Sequence, residues 1–494
     1  MAGEIELRQA REAKLAHLTD RGITAYPSTS TRTHDVASVL SSFETLNSTQ
    51  ELVTIAGRVR SIRGQGKIFF VDIDDGSARM QVVLRADNTI RYLGTDAEDG
   101  LSLFAMVVDI GDFIDVQGVP MVTKAGQNSI DALGWRMLTK SMLPIPDSFY
   151  GLKDEDERYR KRYLDILLNE DQKDMFLKKA KFWSVMRSFL ERNGFIEVHT
   201  PTLEVTTGGA EADPFSTHHN DYDMDVYLRI SVGELWQKRL MAAGFPKTYE
   251  IGRVYRNEGT SPNHLQEFTN VEFYWAYADY QQGMRMVQEL YRELAREVFG
   301  TTAFSARGYA FDLGDEWKVL EYATEIKEQT GVDIWNTSPD AIRAVLAKLD
   351  VATDAKTFER LVDSLWKHCR KQIAGPAFVI GYPDFMQPLA KRSEQNPRIV
   401  EQFQVLIGGS EIGKGYSELN DPHDQRQRFA HQQSLRAAGD NEAMMEDTEF
   451  VDMLEHGMPP TFGFGAGERL FAFLVDKPIR ETQLFPLMRP KQEE

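Results

Sequence analysis

The sequence predicts an α+β protein, with a small β-barrel near the N-terminus and a larger unit in which hairpins pack on helices. Three observations lead there. From residue 52 the apolar pattern changes to a period of two, with Gly and Asp at the turns, and this persists to about residue 139. Residues 249–280 read as two strands joined by a polar loop, and residues 401–421 as a second hairpin. Elsewhere helical stripes recur, as in Phe176, Ala180, Trp183, Val185, Met186, Phe189 and Leu190.

The composition sets bounds. The chain has 494 residues, 42% of them hydrophobic and 27% charged, which suits a globular protein of roughly two or three domains. A single cysteine, Cys369, excludes a disulfide framework and a cysteine-based zinc site, and suits a reducing, cytoplasmic setting. No signal peptide or long apolar run appears, so no membrane partner is expected. The net charge of −18 argues against nucleic-acid binding unless a local basic patch provides it. Candidates are Arg58, Arg60, Arg63 and Lys67, then Arg158, Arg160, Lys161 and Arg162, then Lys178, Lys179 and Lys181.

Taken in order, residues 1–25 are expected to be helical, closing near Gly22, and a short helix follows over 35–47. About five strands then form a compact barrel, for which the OB-fold is the leading candidate. Phe69 and Phe70 among Arg60 and Arg63 suit single-stranded bases, because rings stack on bases and cations track phosphates. Adjacent strand residues point oppositely, so at most one of the two phenylalanines is a platform. A Pro-punctuated linker leads to the helix of residues 176–190, which stops at Asn193-Gly194. Residues 208–223 form a Gly-rich polar loop of the kind that closes over substrates. His218 and His219 there point oppositely on a strand, which argues against a shared metal. Glu234 begins a helix after Gly233, where a carboxylate ionises readily. In the second strand of the central hairpin, Phe268, Asn270, Glu272, Tyr274 and Ala276 share one face, and Val271, Phe273, Trp275 and Tyr277 the other. The latter face is apolar and should pack on helices, while the former could line a cleft with Arg256 and Glu258. Residues 301–375 alternate helices and loops. Lys414, Tyr416 and Glu418 share a face, and Glu411 joins them only if a bulge lies near Gly413 or Gly415.

Arg256-Asn257-Glu258-Gly259, His264, Glu267-Phe268-Thr269 and Glu272 resemble motif 2 of the class II aminoacyl-tRNA synthetases, most closely the bacterial-type lysine branch. The helix, strand and Pro201 before them resemble motif 1, which implies a homodimer. Gly463, Gly465, Gly467 and Glu468-Arg469 resemble motif 3. The barrel resembles the anticodon-binding domain of lysyl-, aspartyl- and asparaginyl-tRNA synthetases. The implied organisation is an N-terminal helical segment (1–50), an OB-fold anticodon-binding domain (51–142), a linker (143–160) and a class II catalytic domain (161–494). That domain is an antiparallel sheet flanked by helices, with a helical insertion around 301–375.

The resemblance implies ATP-dependent attachment of L-lysine to tRNA(Lys) through a lysyl-adenylate. It implies that Arg256 holds carboxylate and phosphate together, and that Phe268 and Arg469 sandwich adenine. Glu258 would accept from the adenine amino group, and His264 would touch the terminal phosphates. Glu411 would hold Mg²⁺, with Gln404 as a second, neutral ligand. Glu234 and Glu272 would take the α-ammonium of lysine, Glu418 and Tyr274 the distal one, and Tyr416 the methylenes. Lys414 would lie near the substrate carboxylate. Phe70 would stack on an anticodon base, and Gln81 would read a base edge.

Four positions depart from the lysine-branch pattern. Lys414 stands for asparagine, Gln404 for a metal-binding glutamate, Glu468 for aspartate, and Asp213 for a basic residue. Three other functions compete. An aspartate or asparagine ligase would need a cation to read the side chain, which Lys414 could supply. A lysine transferase acting on protein lacks the OB-like domain present here. A non-catalytic amino-acid- or RNA-binding paralogue would account for Gln404 and Lys414.

Overall fold

The computed structural model describes residues 2–65, 67–95, 99–146, 152, 154–210, 212–257, 259, 261, 264–437 and 443–491. Two compact units divide the chain, residues 1–153 and 154–494.

The first unit opens with α1 (Ala2–Asp20), ended by Gly22 at φ +68°. The helix expected over 35–47 is two, α2 (Val36–Ser41) and α3 (Phe43–Thr49), parted at Ser42. Asp35 caps α2 by accepting from the Ser38 N–H. The barrel strands are β1 (Val53–Gln65), β2 (Ile68–Asp74) and β3 (Arg79–Arg85), then β4 (Arg91–Tyr92), α4 (Gly100–Val107), β5 (Phe113–Val122) and β6 (Asn128–Thr139). Strand order β3-β2-β1-β5-β6 closes through a parallel β3–β6 pairing, so this five-stranded ring has no open edge; β4 adds a short strand on β6. Val71, Ile73, Val82 and Trp135 fill the interior. Phe69 points inward against Phe104, and Phe70 is left half-buried on the outer face. Gln81 shares that outer face, two rows along, but is buried, and its amide oxygen accepts from Ser129 Oγ at 3.1 Å.

The second unit begins with α5 (Glu155–Arg160), α6 (Arg162–Leu168) and α7 (Glu170–Arg192). Then come β7 (Ile196–Glu197), β8 (Leu203–Glu204), β9 (Ser216–His219), β10 (Met224–Leu228) and α8 (Glu234–Ala242). The central hairpin is β11 (Lys247–Tyr255) and β12 (Glu267–Ala276), followed by α9 (Tyr280–Leu294). The insertion holds β13 (Ala303–Ala306), β14 (Tyr309–Asp312), β15 (Lys318–Glu321), α10 (Tyr322–Thr330), α11 (Pro339–Lys348) and α12 (Phe358–Cys369). Last are β16 (Ala377–Ile380), β17 (Gln402–Ile407), β18 (Ser410–Ser417), α13 (Pro422–Ala437), α14 (Thr448–His456), β19 (Thr461–Gly467) and α15 (Arg469–Leu474).

Eight strands form the main sheet in the order β15-β16-β17-β18-β19-β12-β11-β7, antiparallel except at its two outer pairs. One face is apolar. Val271, Phe273, Phe403, Phe462 and Phe464 pack there against Phe182 and Met186 of α7 and Val287 and Leu290 of α9. Burying each such side chain stabilises the fold by about 1.5–3 kcal/mol, which commits this face to the core. The other face is therefore left to carry polar groups.

Three expectations change. Tyr277 does not extend the apolar face of β12; at φ +63° it leaves the strand and is 79% exposed. Residues 301–375 are not helices and loops alone, because the β13–β14 hairpin and sheet strand β15 lie within them. Several expected basic-patch residues are engaged internally. Arg162 is buried against Asp165 at 2.8 Å, Arg158 reaches Asp165 at 3.0 Å, and Arg58 lies over the Phe113 ring.

Candidate active site

The cleft face of the sheet is built by register. Glu272 pairs with Gly465, Gly465 with Lys414, and Lys414 with Gln404, so these four lie in one row. The adjacent row is Tyr274, Gly463, Tyr416 and Gln402. A register shift opposite residues 411–414 brings Glu411 to the same cleft. The β19 glycines are required by their neighbours. A Cβ on Gly463 would fall on Glu418 and Tyr274, and one on Gly467 would lie 2.6 Å from Asn270 Oδ1. The groove is thus flat along β19 and walled on both sides. Its cavity measures about 490 Å³.

One end is acidic. Gly233, at φ +68°, turns the chain into α8, and its missing Cβ makes room for Thr200. Gln237 ties α8 to β12 by donating to the Glu272 carbonyl at 3.3 Å. Glu234 accepts from Tyr416 Oη and from Lys238 Nζ at 2.9 Å. Glu272 accepts from the Val232 N–H at 2.8 Å and from Tyr274 Oη at 3.3 Å. Glu418 lies 2.6 Å from Lys238 Nζ through Oε2, whereas its buried Oε1 has no hydrogen-bond partner among the described residues. Burial, and then the Glu234 charge, raise the Glu272 pKa. Burial raises that of Glu418 despite Lys238 beside it. Burial works against the Lys238 charge, but Glu234 and Glu418 outweigh it and hold the ammonium above its ordinary range.

At the other end, Arg256 donates to the Ile230 carbonyl at 3.3 Å, with its guanidinium 5.3 Å from the Phe268 ring centre. Phe268, His264 and Arg469 line the same cavity. His264 Nδ1 is 2.7 Å from Ser261 Oγ. Glu258 lies outside the described residues. Glu468 turns away from the cleft. It accepts from the Thr269 N–H at 3.1 Å and pairs with Lys179 of α7 at 2.5 Å, so its carboxylate joins α7, β12 and the start of α15. Asp213, on the Gly-rich loop, accepts the Asn257 N–H at its backbone carbonyl, which anchors that loop beside Arg256.

The cleft thus gathers Glu234, Arg256, His264, Phe268, Glu272, Tyr274, Gln404, Glu411, Lys414, Tyr416, Glu418 and Arg469. Phe70 and Gln81 belong to the other unit. Sequence reasoning missed Lys238, although its spacing of four from Glu234 on a helix was a usable signal. It also missed Trp366 and Tyr382, which nothing local points to.

A hard cation needs open oxygen ligands. At Glu411, Oε1 accepts from the Trp366 indole N–H at 2.5 Å and from Tyr382 Oη at 3.3 Å. The Gln404 side-chain oxygen faces the same carboxylate. The Arg370 guanidinium stands 4.0 Å from Oε2. Among the described residues no group of three or more His, Cys, Asp or Glu could hold a metal. Oε2 of Glu411 accepts from no donor among the described residues and the side chain is 28% exposed, so with the Gln404 oxygen facing it the pair fits the expected hard cation, whose other ligands would come from outside the protein.

Comparison with known proteins accords with this geometry. Residues 154–489 match the family described as tRNA synthetases class II (D, K and N), and residues 53–138 match the OB-fold nucleic acid binding domain. The chain belongs to the class II tRNA synthetases of the D, K and N group. Relatives of this synthetase include the lysine–tRNA ligase of Roseiflexus sp. (strain RS-1), 42% identical over 98% of this chain and 99% of that one. That of Thermotoga maritima is 40% identical over 99% and 97%, and that of Bacillus subtilis (strain 168) 39% over 98% and 97%. Among the described residues of the synthetase, no helix is long and apolar enough to cross a membrane.

Proposed function

We propose that this synthetase joins L-lysine to tRNA(Lys) at the expense of ATP, by way of lysyl-adenylate. The observation that carries the reading is the unpartnered Oε1 of buried Glu418. Three carboxylates face one internal ammonium, so once a guest draws all three into their ionised form the closed end of the cleft has two negative charges for it to pair. Lysine brings two ammonium groups, and its carboxylate goes to Arg256. Leaving a buried carboxylate unpaired costs about 3–5 kcal/mol, so a guest without the distal ammonium is rejected.

In this reading Glu234 and Glu272 take the α-ammonium, Glu418 and Tyr274 the distal one, and Tyr416 lies along the methylenes. Phe268 and Arg469 hold adenine between a ring and a guanidinium, with Glu258 at its amino group and His264 at the terminal phosphates. The attacking carboxylate is already anionic, so no general base is needed. Arg256 orients it against the α-phosphate, and catalysis is positioning plus charge stabilisation. A terminal ribose hydroxyl of tRNA then attacks the activated carbonyl. On the barrel, Phe70 offers a ring for an anticodon base, and Gln81, its oxygen held by Ser129, offers its amide N–H to a base edge. The helix α7 and strand β7 would meet a second copy as a homodimer, and the reaction belongs to the cytoplasm.

Lysine-dependent ATP–pyrophosphate exchange, repeated with every other amino acid and followed by tRNA(Lys) charging, tests this. Exchange with lysine alone is expected. Exchange with aspartate or asparagine, or none with lysine, overturns it.

A further inference from the structure

We propose that Lys179 of α7 is a positioning residue for ATP: through Glu468 it holds Phe268 and Arg469 at the spacing that grips adenine. This rests on the adenine placement given above.

Register sets the two walls. Asn270 faces Gly467 at the end of the β12–β19 ladder, so Thr269 and Glu468 come next, and Phe268 and Arg469 after them. Thr269 and Glu468 are joined twice. The Glu468 N–H donates to the Thr269 carbonyl at 3.0 Å, and the Thr269 N–H donates to Glu468 Oε1 at 3.1 Å. Phe268 precedes Thr269 and Arg469 follows Glu468, so one carboxylate ties both walls together. Phe268 also packs against the cluster of Leu265, Ala472 of α15 and Ile479. Leu265, Phe268, Arg469 and Ile479 all line the cavity.

Glu468 has no exposed surface, and a carboxylate left there without a counter-charge is unstable. Its Oε2 lies 2.5 Å from Lys179 Nζ and has no other partner among the described residues. Lys179 also donates to the Thr482 carbonyl at 2.9 Å, three positions beyond Ile479. It thus fastens both the start of α15 and the turn behind the Phe268 ring. The helix that carries it is itself fixed. One turn along α7, Phe182 packs edge-on against Phe471 of α15, with ring centres 5.6 Å apart. Of the basic run Lys178, Lys179 and Lys181, this member is therefore turned to Glu468 rather than to nucleic acid.

A sandwich depends on spacing. Dispersion between a flat ring and its walls falls by a quarter to a half when the gap widens by about 0.5–1 Å. Lysine is held by ion pairs at the other end of the cleft, so a change at Lys179 reaches ATP and leaves lysine.

The test is equilibrium binding of ATP and of lysine by titration calorimetry, with thermal melts to establish folding. Lys179→Met should weaken ATP about thirtyfold and lysine less than about threefold, and Lys179→Arg should recover most of the loss. Glu468→Ala, which loses both the Thr269 bond and the ion pair, should match Lys179→Met, and combining the two should cost nothing more. Glu468→Gln keeps an oxygen for the Thr269 N–H and should lose no more than about fivefold. Equal losses for ATP and lysine, unchanged ATP affinity in Lys179→Met, or losses that multiply in the combined variant overturn the proposal. If Lys179→Met does not fold, the other pair decides: equal ATP affinities in Glu468→Ala and Glu468→Gln overturn it. Lysine-dependent pyrophosphate exchange is run on the same wild-type preparation. ATP binding without that exchange defeats the ligase reading alone; wild type that binds no ATP defeats both.

Discussion

The two ends of the cleft both carry glutamates, but the closed end buries Glu272 and Glu418, whereas Glu411 near the phosphate end is half-buried. At the closed end, Glu418 keeps one oxygen without a partner and Glu272 is pushed towards its neutral form by burial. Near the phosphate end, one oxygen of Glu411 accepts from the Trp366 indole and the Tyr382 phenol, while the other accepts from no donor among the described residues. An unsatisfied buried carboxylate is unstable until a cation arrives, so it selects a guest. A half-buried one with a single oxygen hydrogen-bonded holds its neighbours in place and keeps the other oxygen for a cation in the cleft.

The strongest way to break this contrast is Glu418→Gln. It should lower kcat/KM for lysine by about a thousandfold, on the order of 4 kcal/mol, because a buried charge pair loses one member. The KM for ATP should change less than about threefold. Pyrophosphate exchange with each substrate varied in turn measures both, and an equal loss for ATP would remove the distinction between the two ends.

Lys238→Met comes next, at about a hundredfold in kcat/KM for lysine. Without that internal ammonium, which holds the Glu418 pKa down against burial, that pKa rises further. The acidic limb of the pH profile should then move to higher pH by about one unit. A profile that keeps its position while activity falls would make Lys238 a packing residue only.

The smallest effect concerns stability. Between an ordinary glutamate pKa and the raised values of Glu272 and Glu418, the folded protein holds protons that the unfolded chain has released. Their contribution to stability therefore falls as pH rises through that window. Lysine binding replaces those protons with ammonium groups. Its stabilisation should be larger at about pH 8 than at about pH 6, by roughly 1–2 kcal/mol. Thermal melts with and without lysine at the two pH values measure it, and an equal shift at both would show that the acidic end is not proton-loaded.

Much of the fold was legible because its signals are local. The alternation in residues 267–276 separates Val271 and Phe273 from Glu272 and Tyr274, and the structure buries the first pair against helices as that pattern requires. The barrel was readable for the same reason, with the adjacency of Phe69 and Phe70 deciding that one faces in. The bulge beside Gly413 followed from Glu411 being out of phase with Lys414. Other features had no local signal. Strand β15 joins the sheet by pairing with β16, about 60 residues further on, and its four residues carry no periodicity to read. Tyr277 continued the apolar pattern, yet a left-handed backbone at that residue ends the strand.

The sequence alone determined which residue types reach the cleft: strand periodicity assigns faces, and the carboxylates, arginines and glycines on one face name the chemistry. Only the tertiary structure decided the charge state and availability of those residues. Trp366 and Glu411 are 45 positions apart, and Lys238 is on α8 while Glu418 follows the end of β18, so their contacts depend on packing. Whether a carboxylate binds a guest or braces the fold depends on which donors surround it after burial, and burial is a property of the folded whole.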